Sequence, residues 1–166
     1  MVKPGDINAT VYDVHVIGDA PSSPQEIQAL LDGIPKETTV PDDYLELIRL
    51  SPELEMLFDY KEDATGFIRT WSAKECLYYN QDLYKVPERF GGLGLAIGDN
   101  AGGGIFVYIN EAKNSSRPEG LYVVDGTIVH IDYCNFVANS LTELLVDGVG
   151  AENTVELPFR PVDEVD

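Results

Sequence analysis

Four short apolar runs in the second half of the chain, at 93–97, 105–109, 121–124 and 128–131, narrow the fold more than any other feature. Each has the length of a strand rather than a helix. The intervals between them are a glycine-rich stretch at 99–104, a polar loop at 110–119 and the pair Asp125-Gly126. An Asp-Gly pair between two apolar runs is a strong hairpin signal. Consecutive strands joined this closely pair antiparallel, because a parallel neighbour needs a crossover of a dozen or more residues.

The first half mixes periods. Residues 8–17 read as a strand, with Tyr12, Val14 and Val16 on one face and Asp13 and His15 on the other. A turn-rich break over 18–24 follows. Ser23 is placed to cap a helix with Pro24 in its first turn, and Ile27, Leu30, Leu31 and Ile34 recur at helical spacing up to Gly33-Pro35. A second helix opens at Val40-Pro41 with Asp42 and Asp43 in its first turn, complementing the helix dipole. Its apolar side is Tyr44, Leu45 and Ile48, continued past Ser51-Pro52 by Leu54, Met56, Leu57 and Phe58. After a polar turn at 61–64, residues 66–71 read as a strand.

Ser72-Ala73-Lys74-Glu75 then forms a capping box, predicting a helix that carries Cys76, Leu77, Tyr79, Asn80 and Leu83 and stops before Pro87. Ser140-Leu141-Thr142-Glu143 is a second box, starting a short helix that ends at Gly148. From Ala151 onward the chain is acidic and aperiodic, a tail packed loosely or not at all. The order is strand, helices, strand, helix, four strands, helix. It predicts an α+β fold in which helices pack around a mainly antiparallel sheet. A length of 166 residues suits one domain.

Charge bears on function. The chain carries 29 acidic against 11 basic residues, a formal charge of −18. Such a field repels phosphates, which argues against a direct nucleic-acid partner or an anionic membrane surface. It attracts basic proteins and speeds their encounter. The plainer reading is that the charge only keeps the protein soluble. Two cysteines, Cys76 and Cys134, make no disulfide framework and read as small buried residues. With no apolar leader and no run of membrane-spanning length, the cytoplasm is the expected compartment.

The motifs with possible chemistry are weak. The glycines at 91, 92, 94 and 102–104 lack a Gly-Lys-Ser/Thr ending, and an apolar strand follows Gly104, so they are read as a tight inter-strand connection rather than a phosphate loop. His130, Asp132 and Cys134 alternate along an expected strand and could present three ligand-type groups on one face, with Cys76 as a fourth. The paired spacing of zinc sites is missing, so a half-exposed polar strand face is the simpler reading. His15 has no visible partner. There is no nucleophile elbow and no local signature around either cysteine. Catalysis therefore has no positive support, no cofactor is expected, and a metal-dependent enzyme is the remotest alternative.

Trp71, Tyr78, Tyr79, Tyr84 and Phe90 fall close together, and most such clusters build core. Tyr78 and Tyr79 are adjacent on a helix, so one of them reaches the surface. With Glu75 and Asp82 nearby, that face suits a cationic partner. Asp99 and Asn100 lie in a connection between strands, where binding groups are often displayed. Trp71 is read as a core anchor, and Gly102, Gly103 and Gly104 as shaping the turn.

Several segments together resemble the SUKH superfamily, the Smi/Knr-type domain. Val40-Pro41-Asp42-Asp43-Tyr44-Leu45-Glu46-Leu47-Ile48 is similar to its Leu-Pro-x-x-Tyr-x-x-Phe-Leu helix. Ile68-Arg69-Thr70-Trp71-Ser72-Ala73-Lys74-Glu75 resembles its strand-to-helix signature. Gly98-Asp99-Asn100-Ala101-Gly102-Gly103-Gly104 resembles its Gly-x-Asp-Gly-Gly-Gly connection. Ala138-Asn139-Ser140-Leu141-Thr142-Glu143-Leu144-Leu145 resembles its closing helix. The four occur in family order over 25–147. Leu50-Ser51-Pro52 departs from the family's usual Asn-Gly-Gly turn. The resemblance implies an α+β domain over 25–148, flanked by an N-terminal strand and linker (1–24) and an acidic tail (149–166). It also implies a non-catalytic protein-binding module: an immunity-type protein neutralising a basic toxin such as a nuclease, or alternatively a Smi/Knr-type regulator or scaffold.

Overall fold

The computed structural model describes residues 2–110 and 117–155. Seven strands form one sheet in chain order, every neighbouring pair antiparallel: β1 (Asp13–Val16), β2 (Leu54–Asp59), β3 (Thr65–Thr70), β4 (Gly94–Asp99), β5 (Gly104–Ile109), β6 (Gly120–Asp125) and β7 (Asn135–Ala138). The sheet curls into a half-barrel. Helices α1 (Pro24–Gly33), α2 (Asp42–Leu50), α3 (Ala73–Tyr78) and α4 (Val86–Arg89) complete an α+β architecture.

The helix starts follow their caps. Ser23 Oγ accepts the Glu26 N–H, and Glu26 returns the bond to the Ser23 N–H. Ser72 Oγ accepts the Glu75 N–H and Ser140 Oγ the Glu143 N–H. Helix α3 loosens at once into a π-turn, Tyr79–Leu83, and the Ser140 box likewise leads into a π-turn, Glu143–Asp147, closed by Gly148 in a left-handed conformation.

Strands β4, β5 and β6 are buried almost throughout, so they read as continuous apolar runs. β2 instead alternates: Leu54, Met56 and Phe58 enter the core, while Glu55, Leu57 and Asp59 face outward. That alternation overturns the expected continuation of the second helix. Ser51, held extended ahead of Pro52, ends α2, and 54–59 follows period two rather than 3.6.

Three further expectations are corrected. The strand expected over 8–17 is confined to Asp13–Val16. Asn8 closes a turn with Thr10, Val11 and Tyr12, whose hydroxyl then donates to the Leu144 carbonyl in the core (2.6 Å). Residues 128–131 do not form a strand: Asp125 turns back onto Thr127, a 3-10 turn occupies Ile131–Tyr133, and the partner of β6 is β7. His130, Asp132 and Cys134 therefore do not alternate along a strand face. The start of the acidic tail is packed, with Ala151 and Thr154 buried in a 3-10 turn against β7. The 111–116 part of the expected polar loop and the 156–166 part of the tail lie outside the described residues.

Candidate functional site

The candidate site forms where β3 hands over to α3. The Trp71 N–H donates to the Ile97 carbonyl, and the buried Tyr44 hydroxyl donates to the Trp71 carbonyl (2.6 Å). Fixed at both ends, the indole is buried and donates from Nε1 to Asp99 Oδ2 (2.7 Å). The Tyr79 ring lies 4.4 Å from the indole at 42°, and Tyr84 lies nearly parallel to it at 6.3 Å. Tyr78, more than half exposed, continues the cluster 5.4 Å from Tyr79. The aromatics thus run from core to surface, offering apolar area with phenolic hydroxyls at the rim.

Carboxylates surround this ledge. His15, Glu55, Arg69 and Asp99 sit in one cross-strand row through β1 to β4. Arg69 Nη2 donates to Glu55 Oε2 (3.0 Å), and Nη1 lies 3.8 Å from Asp99 Oδ1. The Glu55 hydrogen bond, with Asp99 behind it, holds the guanidinium pKa above its ordinary value. Desolvation raises the Glu75 carboxyl above the usual carboxylate range. The Glu53 carboxyl within hydrogen-bonding reach adds to this, and Arg69 offsets part of it. One guanidinium thus stands among Glu55, Glu75 and Asp99, with Glu53 behind Glu75. Desolvation, then Glu75 and Asp99, raise the Tyr79 phenol above its ordinary pKa.

Of the residues singled out from the sequence, the fold brings Glu75, Tyr79 and Asp99 together around Trp71, with Tyr78 at the rim. Asp82 is exposed on the π-turn one step further along. Asn100 faces inward: its Oδ1 accepts the Gly102 and Gly104 N–H groups, and its Nδ2 donates to the Thr154 carbonyl (2.9 Å each). It shapes the connection instead of displaying a side chain. Gly103 takes a positive φ of 94° there, which suits glycine. Tyr84, expected within the aromatic cluster, packs here against Trp71 and Tyr79, whereas Arg69, Glu53 and Glu55 are not among the residues the sequence points to. The outward period-two position of Arg69 on β3 was a usable signal, whereas Glu53 and Glu55 were hidden by the helical reading of 54–58.

Elsewhere the polar groups have other employment. His130 Nδ1 accepts the Asp132 N–H (3.2 Å) and Asp132 lies 3.5 Å from Arg117. Among the described residues no group of three or more His, Cys, Asp or Glu is arranged to hold a metal ion. Burial pushes both thiols up to about 12, and Cys76 donates its S–H to the Ala96 carbonyl. A cleft of about 360 Å³ beside Asp42, Asp43, Glu46 and Glu119 is acidic. Asp43 there accepts both the N–H and the hydroxyl of Thr142.

No protein-family model, no curated protein and no solved structure matches the chain significantly. Among the described residues no helix is long and apolar enough to cross a membrane.

Proposed function

We propose that this chain is a non-catalytic binding module that captures a basic protein, acting as an immunity-type protein that neutralises a cationic toxin such as a nuclease. The observation carrying this reading is the surplus of carboxylate at the aromatic ledge. Glu55, Glu75 and Asp99 gather about the guanidinium of Arg69, with Glu53 against Glu75, beside Tyr78 and Tyr79. A lysine or arginine from a partner would relieve the crowding of Glu75 against Glu53. Its aliphatic stem would lie on the tyrosine rings. The net charge of −18 adds long-range attraction. The SUKH-type motifs over 25–147 support the immunity reading and are part of the same proposal.

The test is stoichiometric inhibition of a panel of cationic nuclease toxin domains by the purified chain. One member should be inhibited at low salt, and inhibition should be lost in the double variant Glu75→Lys, Asp82→Lys. Absence of any complex at about 50 mM salt, where surface charge acts most strongly, defeats the proposal. Salt-insensitive capture of signalling proteins favours a Smi/Knr-type scaffold.

A further inference from the structure

The two edges of the sheet differ. β7 is covered by the 150–154 turn, packed so closely that a Cβ on Gly150 would lie 2.0 Å from the Val137 carbonyl oxygen. β1 is open: among the described residues β2 is the only element in extensive contact with it. Val16 and Ile17 stand 64% and 45% exposed there. The Ile17 N–H donates to the Glu53 carbonyl (3.0 Å), in register with the Val16↔Leu54 to Asp13↔Leu57 pairing. Hydrogen-bonded residues alternate along an antiparallel strand. With Ile17, His15 and Asp13 turned to β2, the N–H and C=O groups of Val14 and Val16 point to the open edge.

We propose that the β1 edge receives an extended segment of a basic protein partner as an eighth strand. The inference rests on the reading that the partner is basic, and adds where and how it docks. Exposed edges are normally defended by charge. Here residues 13–19 and 53–59 carry Asp13, Asp19, Glu53, Glu55 and Asp59 and not one lysine or arginine. That defence turns away a second copy of the same edge and admits a cationic strand. The phase is set as well. Asp13 and His15 project on the outer face with Glu55, where the incoming strand would carry its basic residues. Its apolar residues would lie beside Val14 and Val16, which share the face of Met56 and Leu54. Backbone bonds supply affinity in such strand addition, and alternate side chains supply specificity. The docked strand would extend the row of His15, Glu55, Arg69 and Asp99 that leads to the aromatic ledge.

The probe is a blocked hexapeptide alternating valine and lysine, with a control in which proline replaces valine at equal charge. Amide hydrogen exchange should slow at Val14 and Val16 on binding. The control should bind at least about tenfold more weakly, since proline offers no ladder hydrogen bonds. Val16→Pro removes an outward N–H without touching a bond to β2, and should weaken the valine peptide by a similar factor. Should that variant fail to fold, the exchange readout on the unaltered protein decides alone. Salt-dependent binding with unchanged exchange at Val14 and Val16, or equal binding of both peptides, overturns the edge site and leaves the basic-partner reading intact. No salt-dependent binding of either peptide removes both. Protection that grows with the concentration of the protein alone assigns the edge to a second copy and overturns the inference.

Discussion

Replacing Asn100 with alanine separates a structural role from a displayed one. Three hydrogen bonds end on this side chain: two accepted by Oδ1 from Gly102 and Gly104, and one donated by Nδ2 to the Thr154 carbonyl. Gly102 is exposed, so its freed N–H finds water at little cost. Gly104 and Thr154 are buried, and each would lose its partner in a place water does not reach. Losing the two buried hydrogen bonds costs at least about 1–1.5 kcal/mol each, and the exposed bond adds about 0.5, giving about 2.5–3.5 kcal/mol. For a domain of this size that lowers Tm by about 5–14 °C. Urea unfolding followed by circular dichroism should show a lower midpoint with an unchanged slope, because the same surface is exposed on unfolding. Asn100→Asp keeps the acceptor and loses the donor, so its loss should come through the contact with Thr154. A loss below about 0.5 kcal/mol for Asn100→Ala, the size expected of an ordinary surface change, refutes the assignment.

Four other outcomes follow from the same geometry. Asn80→Ala breaks the bonds joining α3 to β4 (Nδ2 to the Cys76 and Ala96 carbonyls, Ala96 N–H to Oδ1) and should destabilise by about 2–4 kcal/mol in the same unfolding assay. Trp71→Phe keeps most of the ring and loses the Nε1 bond to Asp99, at a cost of about 1–3 kcal/mol by calorimetry. The folded state raises the Glu75 pKa, so the ionised form opposes folding. That cost is absent below the unfolded pKa and appears as pH rises through the folded value. Glu75→Gln should therefore raise Tm near neutral pH by an amount worth under about 1 kcal/mol after solvent screening, and the gain should vanish on acidification. Gly150→Ala combines a positive φ of 87° with the close Val137 carbonyl, and should cost more than about 1 kcal/mol in equilibrium unfolding.

Much of the sheet could be read because β4, β5 and β6 are short apolar runs bounded by glycine and aspartate, and the caps at Ser23, Ser72 and Ser140 mark helix starts locally. What escaped was decided by distant partners. Leu54, Met56 and Phe58 fit period two, yet Leu57 beside them completes a helical stripe, and pairing with β1 and β3 selects the strand. Residues 128–131 have strand composition, but β6 is taken by β7 and the segment folds as a turn. Thr154 follows no period because its carbonyl is tied to Asn100, more than fifty residues earlier, and its hydroxyl to the Ala151 carbonyl. At the candidate site, Glu75, Tyr79 and Trp71 were legible as one local motif. The convergence of Glu53, Glu55, Arg69 and Asp99 depends on the register of β2, β3 and β4, which no local pattern encodes.

The central claim, that an acidic aromatic face captures a basic partner, is tested most directly by the association rate with a cationic nuclease in stopped flow. Charge-steered encounter should slow by at least about tenfold between about 50 and about 500 mM salt. The double variant Glu75→Lys, Asp82→Lys should start slower and show a shallower salt dependence. A rate indifferent to salt, with the variant matching the unaltered chain, would contradict the account.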